Sequence, residues 1–190
     1  MSAHVEAPAV PAGVVPGKVA VWWFLASEIM VFGGLITAYV VFRLGGQGWA
    51  EASHHLSVPL ATLNTLVLLT SSYTVVQAFA AAERGNTRLL RLGLALTILG
   101  GLIFLGVKAV EYTTEIRAGF TPGAGIFWSF YYMMTGLHAL HVIGGIVVNG
   151  VILATEGAAA RNPHRVEVAG LYWHFVDVVW IFLFPLLYLA

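Results

Sequence analysis

The chain has 190 residues, 59% of them hydrophobic and only 9% charged, and its nine Lys+Arg are balanced by nine Asp+Glu. That balance leaves no basic surplus for nucleic acid, and the absence of cysteine excludes disulfides, thiolate metal sites and cysteine nucleophiles. With a mean hydropathy of +0.85 and several unbroken apolar runs, the composition is that of an all-α, polytopic integral membrane protein.

Residues 1–17, with Pro8, Pro11 and Pro16, lack the basic start and apolar core of a cleaved signal. They predict a flexible N-terminal tail, which leaves insertion to the first spanning helix. Five spans are expected at about 19–43, 57–82, 88–113, 126–155 and 168–190, so that residues 18–190 form one five-helix transmembrane domain. The joining segments RLGGQGWAEASHHLS, ERGNT, TTEIRAGFTPGAG and EGAAARNPHRVE hold most of the Gly, Pro and charge. There is no internal repeat and no low-complexity tract. Lys18, Arg84, Arg88, Arg91, Arg161 and Arg165 fall on one side of these spans, against Arg43, Arg117 and Lys108 on the other, which predicts an N-terminus inside and a C-terminus outside. Trp22 and Trp23, and Trp128, Tyr131 and Tyr132, suit interfacial aromatic belts.

The first span, WWFLASEIMVFGGLITAYVVFR, places Glu28 about nine residues in, ~14 Å from the boundary and near the bilayer centre. A carboxylate there costs roughly 2.5 kcal/mol or more, so Glu28 is expected to be neutral, paired or facing a cavity. It is the best single candidate for function, beside the alternative of a protonated glutamate bonded to a neighbouring helix. Gly33, Gly34, Thr37 and Ala38 are spacings for close helix approach. In the second span Asn64, Thr65, Ser71, Ser72 and Thr74 read as hydrogen-bonding glue. The third carries Gly93, Thr97 and Gly101 at four-residue intervals, then Lys108, Glu111 and Tyr112 near its outer end. Lys108 is expected to snorkel or to pair with a carboxylate of another helix in an interfacial salt bridge.

The fourth span contains YYMMTGLHALHVIGGIVVNGVILA, where His138, His141, Gly145 and Asn149 share one face that must point inward. The fifth, GLYWHFVDVVWIFLFPLLYLA, puts His174 and Asp177 three apart on a face about as deep as Glu28. Three histidines and two carboxylates at membrane depth permit a metal site, a proton relay or a polar network tying helices together. His-x-x-His on one helix has neither the spacing nor the glutamate of a metalloprotease motif, so no metal ligand is assigned.

The segments SEIMVFGGL, LNTLVLLTSS, KAVEY, FYYMMTGLHALHVIGG and GLYWHFVDVVWIFLFPLLY, in this order on successive helices, closely resemble subunit III of the haem–copper terminal oxidases, the cytochrome c oxidase family. The resemblance covers nearly everything from residue 20 onward, in the shorter five-helix bacterial form. It implies a subunit with no catalytic residue, no haem and no copper, which packs against subunit I, assembles with subunit II, binds structural phospholipid and sustains proton uptake. The redox centres would lie in partner subunits, the membrane would be the bacterial plasma membrane, and membership of a larger respiratory supercomplex is compatible with it. Carried over by position, Glu28 resembles the family's buried carboxyl, His138 and His141 its paired histidines, and Glu111, Tyr112, His174 and Asp177 its polar residues. Long forms have two further N-terminal helices, whose space subunit I, another subunit or lipid would fill. Other readings are subunit III of a ubiquinol oxidase, an accessory subunit of nitric oxide reductase, and an independent transporter.

Overall fold

The computed structural model describes residues 16–46 and 48–189. Residues 1–15 of the tail expected over 1–17 lie outside the described residues, and its last two, Pro16 and Gly17, begin a helix instead. Among the described residues seven helices follow in chain order: α1 (Pro16–Gly45), α2 (Trp49–Ser53), α3 (Val58–Glu83), α4 (Thr87–Arg117), α5 (Ile126–Ala154), α6 (Glu156–Arg161) and α7 (His164–Tyr188). Five of them, α1, α3, α4, α5 and α7, are long and apolar enough to cross a membrane, and the protein is a multi-pass membrane protein. At ~1.5 Å per residue even the 25-residue α7 exceeds the ~30 Å hydrocarbon layer, so helix ends reach into the interface.

Local chemistry sets the boundaries. Pro at the first turn starts α3, where a missing N–H costs nothing. Between α3 and α4 the chain reverses through Gly85, at φ 67°, and Asn86 caps α4 by accepting from the Leu89 amide at 3.1 Å. The short α2 and α6 sit in joins where only irregular chain was expected. α2 places Trp49 in the core, its ring edge-on to Tyr39 with centroids 5.1 Å apart.

Packing is tightest where side chains are smallest. α3 and α4 form an antiparallel pair in which a Cβ added at Gly93 would lie 2.8 Å from the Ala78 Cβ, and one at Gly100 2.6 Å from that of Ser71. Gly101 of α4 and Gly145 of α5 pinch the Trp173 indole of α7, where added Cβ atoms would lie 2.8 and 2.6 Å from ring carbons. α3, α4, α5 and α7 thus form a ring in which α3 and α5 each pack against both α4 and α7, while side chains such as Trp173 bridge α4 and α7 across it. α1 lies outside this group and runs parallel to α7. It buries only Leu25, Phe32 and Tyr39, a seven-residue repeat along one narrow stripe, while Trp23 and Met30 are 75% and 78% exposed. Trp22 and Trp23 are free to serve as interfacial anchors, but Trp128 and Tyr131 are buried in the core and do not form a belt. Ring amphipathicity is the same in both settings, and only packing distinguishes them.

Candidate functional site

The polar residues singled out from the sequence do not converge on one place. They form four groups, distributed along α1, α3, α4, α5 and α7, three of which touch Trp180.

The first joins α1 to α5. Glu28 Oε2 lies 3.1 Å from His141 Nε2, with both side chains mostly buried. His141 Nδ1 donates to the Leu137 carbonyl at 2.9 Å, and the Phe32 ring stands edge-on to the imidazole. Because Nδ1 is committed to a carbonyl, the contact to Glu28 needs one shared proton, and the pair is net neutral whichever residue carries it. That is how a carboxyl is tolerated at this depth. The Tyr172 hydroxyl donates to the His141 carbonyl at 3.0 Å, extending the group to α7. Two other polar contacts hold α1 near its ends: Lys18 Nζ to Glu167 Oε1 at 2.5 Å, and the Tyr39 hydroxyl to the Leu186 carbonyl at 2.6 Å. That carbonyl lies in the last turn of α7.

The second group surrounds Lys108, which is 3% exposed. This corrects the expectation of a snorkelling or interhelical lysine: the ammonium turns inward and pairs with Glu111 of its own helix at 3.2 Å. It also donates to Tyr131 at 3.0 Å and to Tyr188 at 2.8 Å, so all three N–H bonds are used. Both tyrosines in turn donate to Glu111 Oε1, at 2.9 and 2.6 Å. The ammonium sits 4.7 to 5.6 Å from the ring centroids of Tyr112, Tyr131, Trp180 and Tyr188, an aromatic cage closed by one carboxylate. Tyr112 points elsewhere, to Thr135 Oγ1 at 2.5 Å. Sequence reasoning missed Tyr188 and Thr135. The signal for Thr135 was present, since Tyr131, Thr135 and His138 repeat at four and three residues.

The third group is His138, fully buried, stacked on Trp180 at 5.2 Å and edge-on to Phe104 at 5.3 Å. Neither ring nitrogen has a hydrogen-bond partner. His138 and His141, three residues apart, therefore serve different neighbours. The fourth lies on the α3–α7 seam. Ser72 Oγ and His174 Nδ1 are 2.6 Å apart, Trp173 Nε1 donates to Ser71 Oγ at 3.1 Å, and Trp180 Nε1 donates to Thr65 Oγ1 at 2.9 Å. Asp177, one turn from His174, is buried and neither oxygen has a partner. Among the described residues no three His, Asp or Glu side chains gather in a way that could hold a metal ion.

The family profile described as cytochrome c oxidase subunit III matches residues 4–190. A cytochrome c oxidase subunit 3 from Corynebacterium diphtheriae is 40% identical over 171 residues, covering 87% of this chain and 83% of the relative. A protein named probable quinol oxidase subunit 3 from Staphylococcus haemolyticus is 34% identical, covering 90% and 88%. A cytochrome c oxidase subunit 3 from Thermostichus vulcanus is 36% identical, covering 87% and 83%.

Proposed function

The chain belongs to the cytochrome c oxidase subunit III family, and from that membership we propose that it is the non-catalytic subunit III of an aerobic respiratory oxidase, which reduces oxygen to water and pumps protons. Haem and copper would be held by partner subunits. The observation that carries this reading is the match over residues 4–190, which takes in all five long helices rather than one motif. The arrangement of the polar groups supports it: Glu28 and Lys108 are spent on partners within the chain, as suits a scaffold more than a redox site.

In this reading the chain packs against subunit I, assembles beside subunit II and binds structural phospholipid in the plasma membrane of a bacterium. The weakly buried α1, with its row of exposed Ile29, Met30, Val31, Val41 and Phe42, is the surface that lipid or a neighbouring subunit would cover. The effect on catalysis is indirect, through sealing subunit I's flank and sustaining its proton uptake. The N-terminus would face the cytoplasm.

A quinol-oxidising complex is the second reading, favoured by the Staphylococcus haemolyticus relative. One experiment tests both. The protein is purified in mild detergent through a tag on this chain, its optical spectrum is recorded, and the eluate is assayed with reduced cytochrome c and with ubiquinol. A haem a spectrum with cytochrome c oxidation is expected. Quinol oxidation alone selects the second reading, and a haem-free chain eluting alone refutes both.

A further inference from the structure

The α3–α7 seam contains a polar line that the scaffold role does not use. Along α7, Glu167, Gly170, His174 and Asp177 recur at three, four and three residues and so lie on one face, which is turned toward α3. At the start of that line an open groove of about 120 Å³ runs between the two helices, its walls mostly apolar (Val75, Val76 and Phe79 on α3, Val166 and Leu171 on α7) and its polar groups Glu167 and His174. Its inner end is the Ser72–His174 contact. One turn further along α7 stands Asp177, 4% exposed, its oxygens outside ordinary hydrogen-bond geometry and its nearest donor the Ser72 hydroxyl, which already meets His174. Trp173 and Trp180 flank it on its own helix, and their N–H groups are already committed to Ser71 and Thr65.

We propose that water entering this groove extends past His174 and Ser72 to Asp177, so that the Asp177 carboxyl is a hydrated acid exchanging protons with the membrane face marked by Glu167. The reasoning is one of polar satisfaction. Buried polar atoms are hydrogen-bonded almost without exception, and where the protein offers no partner ordered water supplies one. A charged carboxylate with no donor but a hydroxyl shared with His174 would be far more expensive here than an acid bonded to water. The groove is roomy enough for more than one water, given ~30 Å³ each in the liquid. The groups facing the line are His174 beside Asp177, Ser72, Ser71 and Thr65 from α3, His138 from α5 beyond Trp180, and Lys18 and His164 around Glu167. α3 thus presents hydroxyls that water can bridge, rather than charges that would pin the acid.

The test uses the detergent-solubilised protein with its copurifying subunits. Infrared difference spectra of wild type against Asp177→Asn should isolate a carboxylic-acid band, and transfer to D₂O should shift it before globally protected amides exchange. Filling the groove with Gly170→Val, where a new Cβ would stand 3.9 Å from Val75, should slow that shift by at least ~tenfold, because exchange would then wait for local opening. A missing Asp177-dependent acid band overturns the proposal, and so does a band that stays unshifted in D₂O or exchanges equally fast in the filled variant. Should Gly170→Val fail to assemble, a high-resolution map of the wild-type complex decides. Ordered solvent on Asp177 and along the groove is expected, and a dry Asp177 refutes the proposal.

Discussion

Lys108 and Glu111 show how a buried ion pair is kept in a membrane bundle: every ammonium proton and three carboxylate lone pairs have partners, and four aromatic rings replace the water that was removed. Removing one member should cost about 3–5 kcal/mol because it strands the other. Lys108→Met is therefore expected to lower the melting temperature markedly, and the double variant Lys108→Met with Glu111→Leu should recover much of the loss. Thermal melts of the purified protein, followed by tryptophan fluorescence, check this, and an additive double variant would contradict it. Glu28 obeys the same logic with a different outcome. Glu28→Gln keeps a donor for His141 Nε2, so the haem spectrum of the complex should be intact and turnover should change less than threefold, under ~1 kcal/mol of barrier. Loss of haem in an assembled Glu28→Gln complex would contradict the scaffold reading.

Elements are positioned by the smallest residues. Gly101 and Gly145 meet across the Trp173 indole, and α4, α5 and α7 cannot keep their present spacing if either gains a side chain. Gly145→Val should destabilise by about 1–3 kcal/mol or more through overpacking, whereas Gly33→Ala, which meets nothing within 4 Å, should melt like the wild type. The existence of the long helices was readable because each carries a hydropathic run longer than a bilayer requires, and the inward turn of His138, Gly145 and Asn149 followed from helical spacing. What spacing could not show is which helix each face meets. Glu111 and Tyr188 are 77 residues apart and belong to different spans, so their contact has no local signature. The same holds for Glu28 and His141, both visible as polar residues and unpairable without the packing. Trp128 and Tyr131 mislead for a related reason: an aromatic near a helix start satisfies either an interface or a core. Lys108 was expected to reach outward because an isolated ammonium is cheapest near water, and the aromatic cage that reverses this comes largely from two other helices, α5 and α7.

For the molecule as a whole, the arrangement of the five long helices and the distribution of charge meet in one question, the direction in which the bundle is inserted. α1 and α7 run parallel, since Lys18 meets Glu167 at their starts and Tyr39 meets Leu186 at their ends. The start of α7 and the α3–α4 turn therefore share one face, which carries Lys18, Arg84, Arg88, Arg91, Arg161 and Arg165. The opposite face keeps Arg43 and Arg117, and Lys108 drops out of the comparison because it is buried in its cage. Six against two strengthens the charge asymmetry from which the basic face is expected on the cytoplasmic side. The absence of native cysteine makes this directly measurable, because any single introduced thiol reports alone. Glu83→Cys at the α3–α4 turn and Thr121→Cys in the α4–α5 loop are both exposed positions on opposite faces. A membrane-impermeant maleimide applied to intact cells should label Thr121→Cys and spare Glu83→Cys until the membrane is opened. The reverse pattern would invert the bundle, placing the groove beside Glu167 and His174 on the outer face. Labelling of both from outside would mean that the turn and the loop are not separated by the bilayer, which would contradict the membrane crossings of α4 itself.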